Sequence, residues 1–168
     1  MRGFALFVAG VGIGILLMQS VLAQNGVQNG PPNDTGMKLN HVGITVKNFD
    51  AEVAYYTKSM GFREAFSIRE PTGAPILTYL QISRDTFLEI QPATAAHPTG
   101  FSHVGIEMDD AKATVARLRR MGVKVSDATP SARSGASLTD VFDPEGIYVE
   151  LLEFGPASLQ RKAMNAWK

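Results

Sequence analysis

The chain contains no cysteine. That excludes disulfides, thiolate metal sites, cysteine nucleophiles and anchoring through a lipidated cysteine. It has no excess of either charge, since 16 basic side chains stand against 16 acidic ones. A basic run interleaved with aromatics is also missing, which excludes an electrostatic nucleic-acid binder. Long apolar runs are absent too, with one exception at the N-terminus.

That exception is "MRGFALFVAGVGIGILLMQSVLAQ". Arg2 precedes an apolar run from Phe4 to Met18, and Val21-Leu22-Ala23 places small or modest residues before a cut after Ala23. This is the shape of a signal peptide over 1–23, which would deliver the protein to the periplasm or outside the cell, with no membrane contact after cleavage. The alternative is an uncleaved membrane anchor, because Gly3 to Ala23 is about long enough to span a bilayer. Residues 24–37, rich in Asn, Gly and Pro, read as a flexible leader. One domain is expected over 38–154. In the tail, 155–168, "SLQRKAMNAWK" reads as a short amphipathic helix packing Leu159, Ala163 and Trp167.

Within the domain the tetrapeptide His-Val-Gly-Ile occurs twice, at 41–44 and 103–106. Each copy opens a strand-like stretch followed by a helical pattern. In the first, Asn48 or Asp50 serves as cap, Phe49, Val53, Tyr56 and Met60 form the stripe, and Gly61 ends the helix. In the second the cap is Asp109 or Asp110, the stripe Val115, Leu118 and Met121, and the stop Gly122. Strand pairs close both halves: "ILTYLQIS" and "TFLEIQP", then "SLTDVF" and "IYVELLEF", the last two joined by the tight turn "DPEG". Similarity at a fixed period marks a duplicated module, here 38–92 and 100–154. The expected fold is α+β, two tandem βαβββ modules forming curved mixed sheets around a cavity.

Glu89 and Glu150 repeat at an offset one residue shorter than that of the histidines (103 − 41 = 62; 150 − 89 = 61). Alternation along a strand puts Glu150 on one face with Tyr148, Leu152 and Phe154. An ionised carboxylate there is costly unless paired or bound to a metal. His41 shares a face with Gly43 and Thr45, and His103 with Phe101 and Gly105, the glycine leaving room. A twofold relation between the modules would bring His41, Glu89, His103 and Glu150 to one point. Two neutral imidazoles and two carboxylates suit a divalent metal ion such as Zn, Ni, Mn or Fe(II).

The paired modules, "LNHVGITV…YYTKSMGF", "FSHVGIEM" and the closing "DVFDPEGIYVELLEF" resemble the vicinal oxygen chelate superfamily. It includes glyoxalase I, methylmalonyl-CoA epimerase, extradiol dioxygenases and bleomycin-resistance proteins. The resemblance implies that His41, Glu89, His103 and Glu150 hold the metal, in the glyoxalase I pattern. It further implies a small-molecule substrate chelated through vicinal oxygens, an enediolate, Glu150 as the proton-moving base and Glu89 as its counterpart. Where glyoxalase I relatives carry Arg and Asn to hold glutathione, this chain has Thr45 and Ala93. Epimerase relatives carry Gln where it has Glu89.

The leading expectation is therefore an exported, metal-dependent lyase or isomerase of glyoxalase type. An Fe(II) extradiol-type dioxygenase using His41, His103 and Glu150 is the first alternative, and a non-catalytic binding or resistance protein the second. Tyr79, Gln81, Phe87 and Tyr148 are candidates to line the cavity, and Arg133, in a loop, to meet an anionic substrate. His97 reads as solvated. The modules pair either within one chain or across a homodimer.

Overall fold

A computed structural model describes residues 35–168; the expected signal peptide and most of the leader lie outside the described residues. No helix among these residues is long and apolar enough to cross a membrane.

The first half runs β1 (Met37–Val46), α1 (Phe49–Ala54, continued by a π-helical turn over Tyr55–Ser59), β2 (Arg63–Arg69), β3 (Pro75–Ser83) and β4 (Thr86–Pro92). The second repeats the order with β5 (Gly100–Met108), α2 (Ala111–Arg120), β6 (Thr129–Pro130), β7 (Ser137–Phe142) and β8 (Tyr148–Glu153), and α3 (Leu159–Asn165) follows. All eight strands join one open, curved mixed sheet in the order β2-β3-β4-β1-β5-β8-β7-β6. Within each half the opening strand pairs in parallel with the closing strand. The halves meet where β1 and β5 pair antiparallel. The βαβββ repeat is thus laid edge to edge within a single chain.

The helices start where side-chain oxygens can cap them. Asn48 accepts from the Ala51 N–H, Asp110 from Ala113 and Ser158 from Arg161. Gly61 and Gly122 end the two module helices at φ of +75° and +84°, where a side chain would be strained. Two stripe assignments need correction, because Met60 and Met121 are both exposed. The π-helical turn bonds Met60 N to Tyr55 O and rotates the end of the first helix, so that Phe62 stacks on Tyr56 instead. Met121 lies beyond the last turn of α2 as its C-cap.

Strand alternation divides the core in two. Outward residues of the sheet pack under the helices: Leu80, Leu88 and Ile90 with Phe49 of α1, and Leu151 and Met108 with Ala111 of α2. Inward residues Tyr79, Phe87, Leu152 and Phe154 pack with Ala163 and Met164 of α3. In α3 the buried residues are Gln160, Ala163 and Met164, not Leu159. Trp167 lies under the Arg63 guanidinium, 5.2 Å from its centre.

Candidate metal centre

Strand register builds the site. Glu89 on β4 pairs with Gly43 on β1, which pairs with His103 on β5. The related row is His41, Gly105 and Glu150, across β1, β5 and β8. Val42 pairs with Val104 between them, on the local twofold. Each glycine therefore faces the histidine of the other module. A methyl group on Gly43 would overlap the His103 ring, and one on Gly105 the His41 ring.

A bulge precedes each histidine. The β1–β5 register slips by one residue at Asn40 and again at Ser102. Bulges re-aim side chains, and here both turn a polar oxygen onto the neighbouring imidazole. Asn40 Oδ1 lies 3.0 Å from His41 Nδ1, and Ser102 Oγ lies 3.0 Å from His103 Nδ1. The Ser102 bulge also breaks the alternation that placed Phe101 beside His103; Phe101 is exposed.

Asn40 settles the His41 tautomer. Its amide N–H donates to the Asp85 carbonyl at 3.3 Å, which leaves Oδ1 to accept from His41 Nδ1–H. His41 Nε2 then carries a lone pair directed into the site. It lies 2.9 Å from His103 Nε2, 3.4 Å from Glu89 Oε2 and 3.5 Å from Glu150 Oε2. His103 Nε2 lies 3.8 Å from each carboxylate. The four donor atoms all fall within 4.8 Å of one another. Gln91 Nε2–H donates to the other Glu89 oxygen and fixes that carboxylate.

Electrostatics decides what such a cluster can hold. Burial pushes both imidazoles below their ordinary value of 6.5, against the upward pull of Glu89. Two Nε2 lone pairs at 2.9 Å repel unless a cation lies between them or a neutral His103 carries its proton on Nε2 and donates it to His41. Two neutral imidazoles and two carboxylates leave the pocket anionic. The donor set fits a divalent cation. Burial first, then Asp140, raises the Glu150 carboxyl, although His103 pulls it down. Burial, Glu89 and Glu150 hold the Tyr79 hydroxyl well above its usual value. The Tyr148 hydroxyl is pushed up to about 12 by burial and by Glu150.

The cluster opens into a cavity of about 600 Å³. Tyr79 and Tyr148 line it, and Arg133 sits exposed at its mouth. Phe87 does not line it; its ring is buried behind Tyr79, with centroids 5.8 Å apart. Gln81 is likewise buried away from the cavity and bonds Arg84 O and Arg63. His97, expected to be simply solvated, is exposed but lies along the cavity rim. Sequence reasoning missed Asn40, Ser102, Gln91 and Gln160. For the first two a signal existed: a polar residue precedes each repeated histidine.

Residues 38–151 match the family model of the Glyoxalase/Bleomycin resistance protein/Dioxygenase superfamily. The chain belongs to this superfamily. Solved structures of similar fold include a hypothetical protein from Bacillus halodurans C-125 (TM-score 0.59, 20% identity, 71% of this chain and 95% of that one). A variant methylmalonyl-CoA epimerase from Streptomyces coelicolor, in complex with 2-nitronate-propionyl-CoA, has a TM-score of 0.60 and 22% identity over 72% of this chain and 96% of its own. The methylmalonyl-CoA epimerase from Mycobacterium tuberculosis reaches 0.58 at 19% identity, over 70% and 88%. At these identities the likeness is one of fold. Among curated proteins none matches. In this chain the two modules lie edge to edge in one sheet, and all four candidate donors come from that one chain.

Proposed function

We propose that this protein is a metal-dependent isomerase that moves a proton beside a carbonyl of a small substrate with two vicinal oxygens. The carrying observation is the convergence of His41, Glu89, His103 and Glu150 with their donor atoms within 4.8 Å. A divalent ion bound there supplies Lewis acidity to the substrate's oxygens. His41 and His103 hold it through Nε2, oriented by Asn40 and Ser102. Glu150 takes the proton from the carbon next to the carbonyl and delivers it, on the same face, to the neighbouring carbon. The Glu150 side chain is 18% exposed, toward the cavity, whereas that of Glu89 is only 4% exposed and is pinned by Gln91. That difference supports Glu150 as the base and Glu89 as the anchor. A carboxyl raised above its ordinary range is a better base near neutrality.

Four donors favour this reading over extradiol dioxygenation, which needs positions left open for both catecholate and oxygen. Thr45 and Ala93 support a substrate other than a glutathione conjugate; Thr45 is buried and donates to the Pro98 carbonyl. The apolar segment after Arg2 and the Val21-Leu22-Ala23 motif support export. The deciding experiment is metal analysis of the purified protein, followed by a screen of 2-oxoaldehyde hemithioacetals and catechols with that metal in deuterated water. Isomerisation with solvent deuterium in the product supports the proposal. Catechol ring opening with consumption of oxygen would overturn it.

A further inference from the structure

Beyond the family match, which ends at residue 151, α3 brings one more polar group to the cavity. Gln160 lines the cavity, yet its side chain lies within the core face of α3 and the residue is 1% exposed. Its Oε1 is buried and has no hydrogen-bond partner among the described residues. Leaving a buried acceptor unpaired costs about 1–3 kcal/mol, so a glutamine here is a poor choice for packing alone. A leucine or methionine would fill the same space beside Ala163 and Met164.

Tyr79, packed in the same core as Ala163 and Met164, turns its hydroxyl to His41 Nε2 at 3.3 Å, and Gln160 Oε1 is left without a donor among the described residues.

The helix is held in place. Its Leu159 N–H donates to Ser134 O at 2.9 Å, and Arg161 pairs with Glu107 at 2.7 Å. Arg63 donates to the Ala163 and Ala166 carbonyls at its other end, both at 3.1 Å. Ser134 adjoins Arg133, so α3 and the turn carrying Arg133 form one wall of the cavity.

We propose that Gln160 is a substrate-positioning residue, whose Oε1 accepts a hydrogen bond from a hydroxyl group on the substrate, separate from the two chelating oxygens. The substrate class is thereby narrowed to hydroxylated carbonyl compounds. This deepens the reading of the site as a metal-dependent isomerase and rests on it.

The test uses hydroxamates, which chelate metals through two vicinal oxygens. Straight-chain alkyl hydroxamates of increasing length are each compared with the analogue carrying a terminal hydroxyl, on the metal-loaded protein and on Gln160→Met and Gln160→Leu. At one chain length the hydroxyl should tighten binding to the unsubstituted protein about tenfold. Both variants should lose that gain while binding the alkyl hydroxamates within about twofold of the parent. Their melting temperatures should hold or rise, because an unpaired buried acceptor has been removed. The inference is overturned if no hydroxyl improves binding at any length, or if the gain survives in the variants. A resident water satisfying Oε1 would give the first of these results. It is also overturned if both variants melt lower and bind both series more weakly, which is the mark of a purely structural residue. Failure of every alkyl hydroxamate to bind the parent protein would instead strike at the metal reading, and at this inference with it.

Discussion

Glu150 and Glu89 are equivalent in the repeat but not in their surroundings, and the proposed chemistry divides between them for that reason. Glu150→Gln keeps the size of the side chain and removes its basicity. Turnover should fall by about 10² to 10⁴-fold while bound metal persists, a split read by steady-state rates beside metal content. Asn40 would act on a bound metal through His41, whose Nδ1 it contacts at 3.0 Å. Asn40→Ala frees the imidazole to rotate or change tautomer, so metal affinity should drop about 10- to 100-fold in a chelator competition titration. An unchanged affinity would show that the Asn40–His41 contact does not orient the ligand.

The same residues set the pH dependence of the metal-free protein. Burial lowers the folded pKa of His41 and His103. Below about 6.5 the unfolded chain therefore binds protons that the folded chain refuses, and stability falls as pH drops through that window. Glu150 works in the opposite sense, since its raised pKa favours the folded state only while it stays protonated. Glu150→Gln removes this opposing slope. The metal-free variant should then melt at steadily lower temperature as pH falls from about 7 to about 5.5. A flat profile would contradict neutral imidazoles.

At the scale of elements, the pairing of β1 with β5 makes the site. Reciprocal His–Gly pairs let two imidazoles meet over a strand pair that could not accommodate even a methyl group at Gly43 or Gly105. Gly105→Ala should displace the His41 ring or spread the strands. The cost is about 1–3 kcal/mol, by analogy with other overpacked interiors, together with loss of metal. Thermal melts with and without metal test this, and an alanine variant that binds metal normally would refute the close approach. The repeat made these elements legible. Caps, stops and strands could be placed because each half supports the other. The π-helical turn after Ala54 and the bulges at Asn40 and Ser102 were not legible, because each is a one-residue departure from a regular period that only packing imposes.

For the whole molecule, the consequential fact is that both halves lie in one sheet of one chain. One metal ion per chain is expected, and a monomer isolated by size-exclusion chromatography should retain it. Metal found only in a dimer fraction would mean that the donors come from two copies.

The sequence by itself determined the duplicated module, the four candidate donors and the faces they occupy, because strand alternation and a fixed repeat offset are local properties of the chain. Tertiary structure decided which glycine serves which histidine and that Asn40 and Ser102 stand behind the imidazoles. It also decided that Phe87 is core rather than cavity wall and that Gln160 reaches the site from the tail. These depend on the register between strands and on where a helix outside the repeat docks, and no short-range pattern encodes either.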